Sequence, residues 1–356
     1  MKVHNFNAGP SVLPNEVLYK ASKALIDFEG SGMSILEIGH RTPLFEAVLD
    51  EARNLVRQLM QLDDDFEVLY LHGGATTQFL QVPMNLLEND ATASYIDTGV
   101  WSNKAIKEAK QFGFVDVAAS SRDSNYTFIP KQFTIQPKSA YLHITTNNTI
   151  YGTQWQKIPD TDVPLVADMS SDIMSRKLDF NKFSLIYAGV QKNMGAAGTT
   201  MVAVRKSMLG KVNRKIPSIL DYRNHIENGS MLNTPPVFAI YISMLTLRWL
   251  RDQGGTAGIE KLNEKKASFL YNEIDHNPLF RGTVAREDRS RMNVSFIMDK
   301  PELEEEFLKF CKKEDIIGIK GHRSVGGFRA SLYNALPYDS VEVLVEAMKY
   351  FSLKKA

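Results

Sequence analysis

A single cysteine, Cys311, stands in the 356 residues, which excludes an internal disulfide framework and a cysteine-based metal cluster. It lies in EEEFLKFCKKED, whose spacing is that of an amphipathic helix, so it reads as a helix-face residue rather than a nucleophile. Net charge is nearly absent as well. The 42 lysines and arginines meet 41 aspartates and glutamates, which leaves no global field for a nucleic acid or an anionic membrane surface. Any attraction for anions must be local. No apolar run approaches the length that spans a bilayer, and the opening MKVHNFNAGP lacks the apolar core of a signal peptide. The expectation is a cytoplasmic protein with neither a membrane nor a nucleic-acid partner, and no metal.

The length suits about two domains. The first fourteen residues read as an extended arm, with Gly9-Pro10 and Pro14. A helix follows with Val17, Ala21, Leu25 and Phe28 on one face and Gly30 closing it. A longer helix carries Phe45, Val48, Ala52, Leu55, Leu59 and Leu62 at helical spacing. From Phe66 to Arg205 short apolar runs recur: FEVLYL, ASYI, GFVDVAA, AYLHI, PLVA, SLIYA and TMVAV. Helical or loop segments separate most of them, which predicts a mostly parallel sheet of about seven strands covered on both faces. Residues 217–236 read as loop, FAIYISMLTLRWL as an apolar helix, and RDQGGTAG as the seam into a smaller domain. That domain reads as a helix over 257–275, the strand MNVSFIM, a helix over 301–313, the segment GIKGHRSVGGFRASLY, and a final helix from Ser340.

Two of the apolar runs end in chemistry. Leu165–Ala167 leads into Asp168, and Leu185–Ala188 leads through Gly189-Val190 into Gln191-Lys192. In an open α/β sheet ligands sit beyond the carboxyl ends of the strands, so the acid and the lysine could face one small molecule. Pyridoxal phosphate needs such a pair: a lysine for a Schiff base, and an anion that keeps the pyridine nitrogen protonated. By themselves the two fit a strand-capping acid and a solvated lysine better, and residues elsewhere in the chain must decide. HGGATTQF (72–79) follows a strand directly, and its glycines, threonines and helix start make an anion cradle or a plain turn. It is no Walker loop, since Gly-Lys-Ser/Thr is missing. Trp101 follows another strand and could stack on a cofactor ring or fill the core, and Thr149 stands just beyond AYLHI. The doublets His40-Arg41 and His322-Arg323, with Arg329 close behind, offer forks for carboxylate or phosphate. They would suit a substrate with at least two negative groups.

Together these residues resemble a known family. The ordered run NFNAGPSVLP, HRTPLFE, HGGATTQF, ADMSSDIMSR, YAGVQKNMGAAG, SILDY, NGSMLNTPP, SRMNV and KGHRSVGGFRASLYNA is similar, almost end to end, to the phosphoserine aminotransferases of the class V aminotransferase family. The resemblance implies an α/β chain with the pyridoxal-phosphate-dependent transferase fold type I. A large domain over 15–255 would carry the mostly parallel seven-stranded sheet. A smaller α+β domain would comprise 1–14 and 256–356.

The resemblance also implies roles. Lys192 would form the Schiff base with pyridoxal 5′-phosphate and move the substrate proton. Asp168 would pair with the pyridine N–H and Trp101 would stack on the ring. Ala75 and Thr76 would bind the cofactor phosphate with Gln191 nearby, and Thr149 would hydrogen-bond the cofactor. Asn233 and Thr234 would reach the cofactor phosphate of a neighbouring subunit, which implies a homodimer with shared active sites. Arg329 would hold the substrate α-carboxylate, while His40, Arg41, His322 and Arg323 would hold the phosphate or the distal carboxylate. The implied reaction passes the amino group of L-glutamate to 3-phosphohydroxypyruvate on the route to serine. Some bacterial members also take 3-hydroxy-2-oxo-4-phosphooxybutanoate in pyridoxine synthesis, and the sequence leaves that open. Where some members carry Gly-Arg this chain has Ala75-Thr76, so a hydroxyl replaces a charge near the cofactor phosphate. Two rivals remain: a cysteine desulfurase of the same fold, which needs a cysteine on a mobile loop, and a binder that kept the fold without the catalysis.

Overall fold

The computed structural model describes residues 3–355; residues 1, 2 and 356, which the expected small-domain limits include, lie outside the described residues. The arm contributes β1 (His4–Asn5) and leads into α1 (Asn15–Ala24) and α2 (Pro43–Met60). The apolar stripe of α2 buries Phe45, Val48, Ala52, Leu55 and Leu59, with Pro43 in its first turn and Gln61 closing it in the left-handed region. Helix α1 ends at Ala24 instead of running on to Phe28. The chain doubles back there, and the Ile35 N–H takes the Ala24 carbonyl, one of the acceptors a helix end leaves open. Phe28 is buried all the same, edge-on to Tyr241 with ring centroids 5.4 Å apart.

The seven expected strands all form. In chain order they are β2 (Phe66–Leu71), β3 (Thr92–Asp97), β4 (Phe114–Ser120), β5 (Leu142–Thr145), β6 (Leu165–Asp168), β7 (Leu185–Gly189) and β8 (Thr200–Arg205), with α3 (Gly74–Leu86) after β2 and α4 (Val100–Ala109) after β3. They make one sheet in the order β2-β8-β7-β6-β5-β3-β4, and β8 alone runs antiparallel to its neighbours. The residues of β5, β6 and β7 are buried throughout, as expected for central strands covered on both faces. One consequence organises the molecule: the carboxyl ends of β2, β3, β5, β6 and β7 open on the same edge of the sheet.

Residues 217–236 are not all loop. They contain α5 (Tyr222–Glu227), capped by the Asp221 carboxylate, which accepts from the Arg223 N–H. Six residues are too few to display a helical period. Next come α6 (Val237–Asp252) and α7 (Gly255–His276), joined by a short turn. Beyond them lie β9 (Phe280–Gly282), β10 (Asn293–Met298), α8 (Glu304–Lys313), β11 (Ile316–Ile317), β12 (Phe328–Ser331) and α9 (Tyr338–Lys355). The strands β9, β10 and β12 form a separate antiparallel sheet in the order β12-β10-β9. Its core is aromatic: Phe280 and Phe307 lie 5.0 Å apart, and Phe296 stacks on Phe328 at 5.2 Å. The arm belongs to this side of the molecule, since β1 pairs in parallel with β11. Among the described residues no helix is long and apolar enough to cross a membrane.

Candidate active site

Lysine 192 stands three residues past the end of β7, on a turn that Ser170 helps to fix by accepting from the Gly189 N–H at 3.1 Å. The Lys192 ammonium donates to Thr149 Oγ1 at 2.9 Å, which brings the β5 and β7 loops together. Burial is the main reason its pKa is lowered to about 8; Arg329 adds to the lowering, while Asp168 and Asp172 oppose it. Such an amine is a far better nucleophile near neutrality than an ordinary lysine.

Asp168 closes β6 and is only 4% exposed. Its Oδ1 accepts from the Ser170 N–H at 2.9 Å, and its carbonyl accepts from Thr146 N at 3.0 Å. Burial pushes this carboxyl up from its ordinary value; Ser170 and the Lys192 charge pull the other way. No ion pair to it forms among the described residues. A buried carboxylate in that position is stabilised by any cation placed against its free oxygen.

Lys192 and Asp168 line one cleft of about 310 Å³, together with Ala75, Thr76, Trp101, Thr149, Gln191, His322 and Arg329. Nine of the fourteen expected site residues therefore converge. A larger, open groove between 129–138 and 155–163 holds none of them.

Does this cleft fit the cofactor that the resemblance implies? Helix α3 begins at Gly74, so the backbone N–H groups of its first turn, at Gly74, Ala75 and Thr76, are free to take a phosphate. The turn before it needs glycine: Gly73 has φ +93°, and a Cβ there would sit 1.9 Å from Thr77 Oγ1. Three buried polar atoms of the cleft residues, Trp101 Nε1, Thr145 Oγ1 and Arg329 Nε, have no partner among the described residues, as would be expected of groups that await a ligand. With Asp168 lacking a cation and Lys192 holding a low pKa, the residues fit a phosphorylated, protonated heteroaromatic aldehyde.

The other five expected residues do not line this cleft. Arg41 is exposed, and His40, at the approach to α2, buries an Nε2 that has no partner. Asn233 lines a small separate cavity of about 140 Å³ beside Gly73 and Thr77, and the Thr234 carbonyl accepts from His72 Nε2 at 2.9 Å. Arg323 is exposed on the turn that begins at His322. His322 itself reaches the cleft; burial and the nearby Arg329, Arg323 and Lys104 charges lower its pKa. Arg329, on β12, donates to the Thr149 carbonyl at 3.3 Å, so the second sheet delivers a guanidinium to the lysine's own loop.

Sequence reasoning missed several contributors. Ala8 and Gly9 of the arm, with Thr145, Asn147, Ser170 and Ser171, also line the cleft. Thr145 carried the same signal as Thr149, a hydroxyl at a strand end. The arm carried none, because only the fold brings it there. Cys311, for its part, is 1% exposed within α8, and burial raises its pKa to about 12. A thiol held that way is inert, which removes the desulfurase reading.

Comparison with known proteins agrees with this geometry. The family model described as "Aminotransferase class-V" matches residues 3–344. The phosphoserine aminotransferase of Flavobacterium johnsoniae is 56% identical over 355 residues, covering 99% of this chain and all of that one. Among solved structures, the phosphoserine aminotransferase from Bacillus circulans subsp. alkalophilus superimposes with a TM-score of 0.97 at 46% identity, covering 100% and 99% of the two chains. The pyridoxal-phosphate-bound phosphoserine aminotransferase from Trichomonas vaginalis gives 0.93 at 36% identity, covering 98% and 100%. A full-length match at this identity, over a cleft with the lysine, the acid and the helix start in place, puts the chain in the phosphoserine aminotransferase family of class-V aminotransferases.

Proposed function

We propose that the protein is a pyridoxal 5′-phosphate-dependent aminotransferase that moves the amino group of L-glutamate to 3-phosphohydroxypyruvate, giving O-phospho-L-serine and 2-oxoglutarate. The observation that carries this reading is the placement of Lys192 Nζ, Asp168 and Arg329 around one cleft in a chain of this family. When bound, the cofactor supplies an electron sink for the carbanion left when the substrate Cα loses its proton.

The chain's own residues do the rest. The first turn of α3 would hold the cofactor phosphate and the Trp101 ring would pack on the heterocycle. The Asp168 carboxylate would pair with the ring N–H and keep that proton in place. The Arg329 guanidinium grips the α-carboxylate as a two-pronged donor, which sets the Cα proton toward Lys192. Thr149 Oγ1, already bonded to Lys192 Nζ, would steady the amine as it takes that proton. Shape and charge near His322 favour a second anionic group on the substrate.

We further read the working unit as a homodimer. His40, Arg41, Asn233 and Thr234 are not among the residues that line this cleft, and a second copy would bring them to it. The smaller domain is read as 1–14 with 256–356, which the pairing of β1 with β11 supports. The test of the function is 2-oxoglutarate release from L-glutamate with 3-phosphohydroxypyruvate, and the reverse reaction with phosphoserine; no turnover with this pair would sink it.

Two expectations follow for the anion residues. A phosphate dianion needs more positive charge than a lone carboxylate. Each charge-assisted hydrogen bond lost from a buried anion costs about 1.5–3 kcal/mol, roughly tenfold to a hundredfold in affinity. Arg41→Ala and Arg323→Ala should therefore weaken phosphoserine more than glutamate, whereas Arg329→Ala should weaken both alike. Steady-state kinetics of the three variants with each donor decide it, and equal losses for both donors throughout would place the phosphate site elsewhere. For assembly, sedimentation velocity with an activity assay on the fractions should find the activity in the dimer, and a fully active monomer would rule out shared sites.

A further inference from the structure

The hydroxyl of Tyr333 occupies a position that none of the roles above uses. The residue is 2% exposed and lies two residues past β12. Its O–H donates to the Ala8 carbonyl at 2.8 Å and accepts from Asn293 Nδ2 at 3.2 Å. Ala8 and Gly9 line the cleft. Gly9 lies so near the lysine that a Cβ on it would be 3.6 Å from Lys192 Cγ. Further along the arm, Ser11 N donates to the Gln191 carbonyl at 3.0 Å and Ser11 Oγ donates to the Lys192 carbonyl. The arm is thus a wall of the active site, held at one end by Ser11 and at the other by Tyr333.

The same hydroxyl reaches the rest of the site through amides. Asn293 also donates to Ser331 Oγ at 3.0 Å, on the strand that carries Arg329. Its Oδ1 accepts from Asn147 Nδ2 at 2.8 Å, on the loop that carries Thr149, the lysine's partner. Asn147, Asn293 and Ser331 are all buried. Buried polar groups with every partner in place fix a single arrangement, because each bond lost exposes an unpaired group to an apolar surround.

We infer that Tyr333 is a positioning residue of this site: its hydroxyl pins the Ala8–Gly9 backbone against Lys192 and, through Asn293 and Asn147, ties the strand bearing Arg329 to the loop bearing Thr149. Arg329 and Lys192 come from different sheets, and this knot sets the distance between the carboxylate clamp and the amine. The phenol stays neutral in this role, since burial raises its pKa to about 12. The inference rests on the aminotransferase reading for its kinetic consequence, while its structural consequence can be read without any substrate.

Tyr333→Phe tests it. The ring stays and fills the same space, so the variant should fold and melt within a few degrees of wild type. In the cofactor-loaded full-length enzyme, hydrogen exchange of a peptide covering the arm should quicken about tenfold, with α9 unchanged. The kcat/KM should drop roughly tenfold for both amino donors, mostly in kcat per bound cofactor, as expected when the amine is misplaced by a fraction of an ångström. Ser11→Ala, which cuts the other end of the arm, should move both readouts in the same direction. Arm exchange and kcat per bound cofactor at wild-type values in Tyr333→Phe would overturn the inference, even if stability fell. If wild type itself fails to transfer an amino group while the arm loosens as expected, the functional reading fails and the tie stands.

Discussion

Lys192→Ala should be purified as a folded protein that still takes up pyridoxal 5′-phosphate but turns over at least about 10⁴-fold more slowly. The magnitude combines the loss of covalent capture with the loss of the general acid–base group, which alone contributes about 10²–10⁴-fold. Cofactor uptake survives because the first turn of α3, the Trp101 ring and Asp168 do not depend on the amine. Absorbance titration gives the uptake and 2-oxoglutarate release gives the turnover; wild-type turnover in this variant would end the assignment. The low pKa of the amine adds a pH signature to the wild type. With a value of about 8, roughly one lysine in ten is free at pH 7, against fewer than one in a thousand for an ordinary lysine. Capture of the cofactor by cofactor-free protein should therefore speed up about tenfold from pH 6 to 7, and level off a little above 8. A rate that kept climbing to pH 10 would show that burial does not tune this amine.

Asp168→Asn should be the second-largest loss. The amide keeps the shape of the side chain and an oxygen for the Ser170 N–H, so the fold is preserved, but it offers no charge to hold a proton on the ring nitrogen. Removing one partner from a buried ion pair costs about 3–5 kcal/mol, which is roughly 10²–10⁴-fold in rate if the pairing matters most when the carbanion forms. Single-turnover absorbance traces on mixing the loaded variant with glutamate measure that step without product release. Traces superimposing on wild type would mean that the ring nitrogen has another partner.

The parts of this protein that could be read from its letters share a physical property: they are local. The stripe of α2, the runs that became β2 to β8, and the acid and lysine at two strand ends all announce themselves within a window of a few residues. Seven of the nine site residues met in one cleft because parallel strands place their carboxyl ends together, while His322 and Arg329 arrive from the second sheet's side. What was not legible was non-local or too short. Helix α5 lacks a period, α1 stops where Ile35 returns to claim its last carbonyl, β11 is only two residues long, and β12 hides among the glycines of GIKGHRSVGGFRAS. The arm's entry into the site depends on Tyr333, which sits far away in the chain. His40, Arg41, Asn233 and Thr234 mark a different limit, since the fold of the single chain does not bring them to its cleft.

The pairing of β1 with β11 bears on how the molecule comes into being. His4 and Asn5 leave the ribosome about 310 residues ahead of their partners, Ile316 and Ile317. A chain emerging at about 5–20 residues per second could assemble its large sheet while synthesis continues. The arm would meanwhile hang loose, and neither β12 nor Tyr333 would yet exist to receive it. The wall over Lys192 can close only after β12 is made, so nascent chains should carry that lysine in an unfinished pocket. Enzymatic competence would then arrive in one late step after β12 is made, and a chain truncated before Ile316 should hold a well-formed sheet and no working site.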